Sequence, residues 1–307
     1  MKSKIKGMLL RFNTLRRIIQ LVFFIFFSAM IFNIGALPLL FPVLWTWGFE
    51  SNTVGDAFTA LQVMLYNLII PWLALTSFLI TGIFLGKALC GWVCPFGFIQ
   101  DLIGFAKSKK KELSIRTHET LIYLKYAILG ITLFVSVSFS ITKLIGIHSN
   151  YEKALGVFVK APFTTLSPGE TLFSVLPQMI QDFVRTVFET PILDALSGIA
   201  NLPPLFWAQI SIMIAILVLS AYIPRFWCRY FCPHAAVMAM MNKLSFIGLR
   251  RDPVKCTKGA CRRCVEVCPM KVRLLDLAWE KISDPECIYC MKCIDACPDN
   301  AIAIKYP

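Results

Sequence analysis

Cysteines are the residues of this 307-residue chain whose spacing most directly predicts chemistry, and there are twelve of them. Eight lie in the last fifth of the chain, in two runs that each end in Cys-Pro. The runs are Cys256-x4-Cys261-x2-Cys264-x3-Cys268 and Cys287-x2-Cys290-x2-Cys293-x3-Cys297. Thiolates are soft ligands, so runs this dense predict a metal-containing site.

The second run has the spacing of a bacterial ferredoxin, in which three cysteines hold one [4Fe-4S] cluster and the fourth reaches the other cluster. The predicted cofactor ligands are therefore Cys256, Cys261, Cys264 and Cys297 for cluster one, and Cys287, Cys290, Cys293 and Cys268 for cluster two. The first run departs from this spacing, because four residues, "TKGA", separate its first two cysteines where two are usual.

A zinc site and disulfides are the alternatives for these eight cysteines. Disulfides are disfavoured in a reducing cytoplasm, and structural zinc sites use Cys-x2-Cys pairs more often than quartets ending in Cys-Pro. The β-prone pieces "KVRLLDL" and "AIAIKYP" lie beside the runs, as the small strands of a ferredoxin would. We therefore predict an α+β di-cluster ferredoxin domain over residues 251–307.

The other four cysteines form a repeated Cys-x3-Cys-Pro motif, once in "KALCGWVCPF" and again in "RFWCRYFCPH". Proline after Cys94 and after Cys232 favours the first position of a new helix, which makes each cysteine an N-cap whose pKa the helix dipole would lower. Three interpretations stay open: a further iron-sulfur or metal site, a dithiol redox pair, or packing at a helix break. The candidate metal ligands are Cys90, Cys94, Cys228 and Cys232.

Hydropathy indicates an integral membrane protein, because 57% of the residues are hydrophobic and only 16% are charged. Charge-free intervals at 18–49, 57–86, 126–142 and 195–224 predict four transmembrane helices, the third extended backwards with Lys125 snorkelling to the surface. Since each Cys-x3-Cys-Pro motif follows a pair of these helices, we predict two parallel two-helix repeats within a membrane domain of residues 1–250.

Lysine and arginine set the orientation. Six basic residues precede the first predicted helix and six lie between the second and third, whereas the segment 143–205 holds four basic against five acidic residues. The positive-inside rule therefore places both termini in the cytoplasm and this segment, with amphipathic helices, outside. The predicted location is the cell (inner) membrane, crossed several times.

Several function classes are excluded by what the sequence lacks. The net charge of +13 does not indicate nucleic-acid binding, because residues 252–307 are almost neutral and the excess basic residues lie where lipid headgroups would meet them. No Cys-x-x-Cys-His haem motif, Walker loop or dinucleotide fingerprint occurs. No catalytic residue is predicted.

From Leu85 onward the chain resembles the NapH/NosR/CcoG-type membrane polyferredoxins. The resemblance rests on "CGWVCP", "CRYFCP" and the paired ferredoxin quartets in that order, and in length it is most similar to the NapH-type quinol dehydrogenase subunit. It implies a membrane-bound protein that passes electrons between the quinone pool, or a cytoplasmic donor, and a respiratory or periplasmic reductase system.

Three functions are compatible with these features. The first is the electron-transfer subunit, with membrane lipid, quinone or quinol, and other redox subunits as partners. The second is a metal reductase, such as one that produces cuprous ions, or a metallo-enzyme assembly factor. The third is a non-catalytic membrane anchor for a redox partner.

Overall fold

The fold is mainly helical, with one small two-stranded sheet near the C-terminus. The structure is a computed structural model that describes residues 12–31, 57–106, 114–189, 202–257 and 261–306. The predicted fold class is confirmed to this extent: the chain is mainly α-helical and ends in a small segment that contains both helices and strands.

The elements follow the chain in this order: α1 (Phe12–Ile31), α2 (Ala57–Tyr66), α3 (Trp72–Leu85), α4 (Ala88–Trp92), α5 (Pro95–Ala106), α6 (Ile115–Ile145), α7 (His148–Leu155), α8 (Leu176–Glu189), α9 (Pro204–Tyr222), α10 (Phe226–Tyr230), α11 (Pro233–Asn242), β1 (Gly248–Arg251), α12 (Arg263–Glu266), α13 (Lys292–Asp295) and β2 (Ile302–Lys305).

Two described helices, α6 and α9, are long and apolar enough to cross a membrane by length and composition. They coincide with the third and fourth predicted spans. Ile131, Phe134 and Ile214 on these helices are more than half exposed, as side chains that face lipid would be. Helix α1 begins ahead of the first predicted span, and residues 32–56 of that region lie outside the described residues.

The second predicted span is wrong as a single helix, because it consists of α2 and α3 with a break at residues 67–71. Leu68 adopts a left-handed backbone with φ of 57°, and Ile69 N–H bonds back to the carbonyl of Met64 at 2.9 Å. Pro71 then disfavours helical geometry at the residue before it and supplies no N–H. Apolar composition alone did not reveal the break.

The two Cys-x3-Cys-Pro motifs adopt the same local fold. Each forms a five-residue helix, α4 or α10, followed by a turn and a new helix that begins at the proline. The second cysteine N–H reaches back five residues in both copies, from Cys94 to Leu89 O at 3.1 Å and from Cys232 to Trp227 O at 3.0 Å. The sequence repeat is therefore also a repeat of local structure.

The C-terminal segment is built around the pairing of β1 with β2. The strands are antiparallel, with Gly248 opposite Lys305 and Arg251 opposite Ile302. The predicted strand in "AIAIKYP" is present as β2, but "KVRLLDL" forms no strand, because its leucines Leu274 and Leu275 pack into the core instead. Strand β1 includes residue 250, where the sequence places the boundary between the two domains. This boundary stays a prediction.

The chain divides into two compact units, residues 1–26, 76–129 and 220–307 in the first and residues 27–75 and 130–219 in the second. In the second unit, α2 packs on the predicted external segment through buried polar side chains. Thr59 and Thr164 hydroxyls lie 3.0 Å apart, and the Gln62 amide donates to the Thr164 hydroxyl at 3.2 Å. The predicted helix in this segment is present as α8, while residues 190–201 lie outside the described part of the chain.

In the first unit, Lys125 does not snorkel as predicted. Its Nζ contacts Glu286 Oε1, and Lys87 Nζ lies 2.9 Å from Glu286 Oε2, with both lysine side chains fully buried. Burying these charges is unfavourable unless each finds a partner, so the carboxylate of Glu286 satisfies two ammonium groups at once. This ion triad joins α6, the first Cys-x3-Cys-Pro motif and the segment that begins the second cysteine run.

We expect Glu286→Gln to destabilise the protein strongly, by about 3–5 kcal/mol, because it leaves two buried lysines without a carboxylate. The measurement is the thermal unfolding midpoint of purified protein in detergent. Glu280→Gln is the matched control, since Glu280 is exposed and its change should leave the midpoint within a degree or two. Equal midpoints for the two variants would show that the ion triad contributes nothing to stability.

Candidate iron-sulfur sites

All twelve cysteines lie in described segments and all twelve are free thiols. This argues against the disulfide alternative. Within the described residues, no group of three His, Cys, Asp or Glu side chains is placed to hold a single metal ion. In a [4Fe-4S] cluster each cysteine binds a different iron, so its ligands do not converge on one ion.

Cluster two's predicted ligands are brought together by the structure. Cys268, Cys287, Cys290 and Cys293 line one small cavity, whose walls include the apolar residue Leu249. Burial raises the pKa of Cys268 to about 11, and burial together with neighbouring cysteines raises the pKa of Cys293 well above its usual value. Four buried sulfurs in an apolar cavity fit a group that supplies positive charge to them, as iron does.

For cluster one, the structure brings three predicted ligands together. Burial raises the pKa of Cys264, and the nearby sulfurs of Cys256 and Cys261 raise it further. Cys297, the fourth predicted ligand, packs against the same core as the cluster-two cysteines. Residues 258–260 of the longer loop lie outside the described residues, and the two ligand sets stay predictions.

The two Cys-Pro turns of this segment are structural equivalents. Val272 N–H donates to Cys268 Sγ at 3.4 Å, and Ala301 N–H donates to Cys297 Sγ at 3.3 Å. Both turns pass through a left-handed residue three positions after the cysteine, Lys271 with φ of 55° and Asn300 with φ of 47°. Backbone N–H groups aimed at sulfur stabilise negative charge there, as in iron-sulfur proteins.

In the membrane-side motifs, Cys90, Cys94 and Cys228 lie close enough to influence one another's ionisation. The Gln100 amide donates to Cys228 Sγ at 3.1 Å. Cys232 caps α11 as predicted and accepts the Ala235 N–H at 3.5 Å. The structure thus gathers three of the four candidate ligands, while the cap fixes the position of Cys232 at the start of its helix.

The expectation that a helix N-terminus lowers the thiol pKa is wrong for Cys94, and the neighbouring Cys90 and Cys228 also have raised pKa values. Burial raises the pKa of Cys90 to about 11. It also raises the pKa of Cys94 and of Cys228, outweighing the Gly97 N–H at the first and Arg225 at the second. Desolvation wins because a thiolate loses its hydration shell, and one or two dipoles do not replace it.

A second ion cluster holds the repeated motifs together. Arg225 is fully buried and contacts Asp101 through two bonds, Nε to Oδ1 at 3.1 Å and Nη2 to Oδ2 at 2.7 Å. Its Nη1 donates to the carbonyl of Cys90 at 2.7 Å, and Arg16 reaches the same carboxylate at 3.1 Å. Burial alone would raise the pKa of Asp101, but these guanidinium groups lower it well below its usual range.

The repeated motifs contain one basic partner of each ion cluster, Lys87 and Arg225, but neither acid. Asp101 is the single charged residue of the apolar helix α5, and Glu286 immediately precedes the first cysteine of the second run. A lone acid in an apolar helix is a usable signal, because burying it requires a counter-charge. The signal for Glu286 is weaker, since acids beside cysteine runs are ordinary surface residues as a rule.

The first Cys-x3-Cys-Pro motif contacts the loop that carries the cluster-two cysteines. Trp92 Nε1 donates to the Tyr289 carbonyl at 2.7 Å. A side chain on Gly91 would meet the Ile288 carbonyl at 2.2 Å, so the two backbones approach as closely as glycine allows. Cys90 belongs to the same buried core as the cysteines of that loop.

Asn242 ties the second motif's helix to the same loop. It follows the second motif at the end of α11, accepts the Lys87 N–H at 2.9 Å and donates to the Cys287 carbonyl at 3.0 Å. Both motifs therefore share contacts with the cluster-two loop through one fully buried amide.

Two family models match the chain. One, described as a 4Fe-4S binding domain, matches residues 64–112 and 205–251, which are the two Cys-x3-Cys-Pro regions with the apolar helices before them. The other, described as a 4Fe-4S dicluster domain, matches residues 248–298. No solved structure matches the chain.

Among its relatives, an uncharacterized protein of Methanocaldococcus jannaschii is 25% identical over 96% of this chain and 97% of its own length. The putative electron transport protein YccM of Escherichia coli is 26% identical over 74% of this chain and 53% of the relative. The regulatory protein NosR of Pseudomonas aeruginosa is 24% identical over 83% of this chain and 26% of the relative.

The chain thus spans about half of YccM and a quarter of NosR. Both iron-sulfur models fall on the segments whose cysteines the structure gathers, and the relatives with descriptive names include electron-transport and NosR proteins. The chain is thus similar to the NapH/NosR-type polyferredoxins, and the matched 4Fe-4S domains support an iron-sulfur electron-transfer role.

Proposed function

We propose that this protein links the quinone pool, or a cytoplasmic electron donor, to a respiratory or periplasmic reductase system, as a NapH-type quinol dehydrogenase subunit would. The single observation that supports this most is the direct contact between the first Cys-x3-Cys-Pro motif and the cluster-two loop. Cys90 of this motif shares one buried core with the cluster-two cysteines, which suits a continuous path for electrons.

We also propose that the protein binds two [4Fe-4S] clusters. Cys256, Cys261, Cys264 and Cys297 would hold the first and Cys287, Cys290, Cys293 and Cys268 the second, with Cys90, Cys94, Cys228 and Cys232 as a further iron-sulfur or metal site. A [4Fe-4S] cluster supplies one-electron oxidation and reduction when bound.

The surrounding residues keep these sulfurs dry and fixed. Met270, Ile282 and Tyr289 are at most 1% exposed and exclude water from the cluster-two cavity and its surroundings. Lys87 and Arg225 hold permanent positive charge near the membrane-side sulfurs, which favours negative charge on them. A rigid, dry and positively biased site needs little rearrangement when its charge changes.

For topology we propose four membrane crossings in two parallel repeats, the second crossing made by α2 and α3 with the break between them, and both termini in the cytoplasm. The matched local folds of the two motifs support the repeat, and the charge distribution supports the orientation. Because the hydrocarbon core is about 30 Å thick, clusters at the cytoplasmic face cannot reach an external acceptor directly. An intermediate centre or a mobile quinone would carry the electrons the remaining distance.

The iron content of anaerobically purified protein tests the ligand sets. We expect about eight irons from two cubes, and more where the membrane-side cysteines hold a third centre. Cys268→Ala should lower the count and remove one of the cluster signals in a redox-titrated EPR spectrum. Cys94→Ala should abolish quinol-linked reduction of the clusters without removing those two signals.

Val93→Ala is the control for the second variant, because it changes a neighbour inside the motif without removing sulfur. Unchanged quinol-linked reduction in both Cys94→Ala and Cys232→Ala would contradict the proposal. Stoichiometric copper at these cysteines without any quinol effect would instead identify a metal reductase, and full activity without the eight ferredoxin cysteines would identify an anchor.

A second experiment tests the contact itself. Gly91→Ala forces a methyl group against the Ile288 carbonyl, so we expect the cluster-two loop to shift and quinol-linked reduction to slow at least tenfold. The unfolding midpoint should also fall, because the overpacked side chain lowers the free energy of unfolding by about 1–3 kcal/mol. Gly104→Ala is the matched control, since nothing lies within 4 Å of its Cβ and alanine favours the helix by about 1 kcal/mol. The same rate in both variants would exclude this contact from the electron path.

A further inference from the structure

The first unit contains a cavity of about 650 Å³ that neither the predicted clusters nor the motif repeat explains. Cys268 and Pro269 of the first cysteine run form part of its wall, and Arg229 of the second Cys-x3-Cys-Pro motif forms another part. His118, near the start of α6, contributes from a third side. The cavity therefore borders one predicted cluster ligand, Cys268, and reaches the second Cys-x3-Cys-Pro motif through Arg229.

The lining of this cavity carries more positive than negative charge. Six basic and four acidic side chains contribute to it. Two of the acids are already paired there, Asp101 with Arg17 at 3.4 Å and Glu119 with Arg273. Four basic residues then face two acids, which is a lining that attracts an anion.

Arg229 is the buried group that most directly indicates a ligand. It is 3% exposed, and its Nη2 lies 3.1 Å from His118 Nδ1, which also lies 2.9 Å from the hydroxyl of Tyr230. His118 Nδ1 is thus fully used as an acceptor. The Nε of Arg229 has no hydrogen-bond partner in the part of the chain that the structure describes. A buried guanidinium donor left unsatisfied is unfavourable, so an acceptor oxygen belongs beside it.

The position of the cavity indicates where such an oxygen would come from. Ile115 is the first residue of α6, and Ile223 directly follows α9, so the cavity lies at the ends of the two described helices that are long and apolar enough to cross a membrane. Lipid phosphates lie at this depth, and arginine is the side chain that binds them most directionally. Ile115, Ile223 and Phe105 add an apolar portion to the lining that suits the remainder of an amphipathic molecule.

We propose that this cavity is a binding site for a phosphate ester, with Arg229 as the central contact. An anionic lipid headgroup and a soluble organic phosphate present the same chemistry to it. Bound there, the phosphate pairs with the guanidinium group of Arg229 and balances the excess positive charge. The site is separate from the ligands of both predicted clusters except for its shared wall at Cys268.

The test uses the full chain in lipid nanodiscs, with variants Arg229→Gln and Arg262→Gln and the control Arg250→Gln. Arg262 lines the cavity, whereas Arg250 is exposed on β1 outside it. In the lipid arm, nanodiscs of phosphatidylcholine with phosphatidylglycerol are opened and retained lipid is counted by native mass spectrometry. In the soluble arm, calorimetry measures binding of inorganic phosphate in nanodiscs of phosphatidylcholine alone.

We expect at least one retained phosphatidylglycerol, or saturable phosphate binding, that weakens about tenfold in Arg229→Gln and several-fold in Arg262→Gln but not in Arg250→Gln. The arm that responds identifies the source of the phosphate. The iron content of Arg229→Gln shows whether this variant is folded. If it is not folded, the binding measured for Arg262→Gln tests the proposal. The proposal is overturned if the folded Arg229→Gln and Arg262→Gln variants bind lipid or phosphate as tightly as the wild type. It is also overturned if the wild type binds neither phosphatidylglycerol nor phosphate, even where a short-chain quinone binds instead.

Discussion

The carboxylate of Glu286 is the constraint on which the arrangement of this protein's chemistry depends. It pairs with Lys87 of the first Cys-x3-Cys-Pro motif and with Lys125 of a helix long enough to cross a membrane, and it stands one residue before Cys287. Removing Glu286 would leave two buried lysines without a carboxylate. The loop that carries three cluster-two cysteines is thereby fixed against the membrane-side helices in one position.

A second carboxylate, Asp101, performs the same task for the other copy of the motif. Arg225 contacts it through two parallel bonds and continues to the Cys90 carbonyl, so the second motif is anchored on the first. Bidentate pairing fixes orientation as well as distance, which a lysine would not do. Together the two acids explain why the motifs carry a basic residue three positions before their first cysteine.

Much of this organisation follows from the sequence, and the parts that do not have identifiable reasons. The ferredoxin-like spacing and the long apolar helices α6 and α9 depend on local patterns, so they were predictable. The break at Leu68 depends on one backbone angle, and the pairing of Lys125 depends on a residue 161 positions away. Snorkelling was predicted for Lys125 because sequence shows the cost of burying a charge but not the distant partner that offsets it.

Within the candidate site, the sequence identified which cysteines belong to each run, but not the symmetry of their surroundings. The membrane-side motifs repeat in local fold, yet their basic residues have different partners: Lys87 reaches Glu286 in the ferredoxin segment, while Arg225 reaches Asp101 beside the first motif. The two copies therefore do not have equivalent surroundings. The first copy touches the cluster-two loop directly through Gly91 and Trp92, whereas the second reaches it through Asn242 at the end of its helix and lines the cavity through Arg229. Such a division suits one copy to meet the ferredoxin clusters and the other to meet a molecule from the membrane surface.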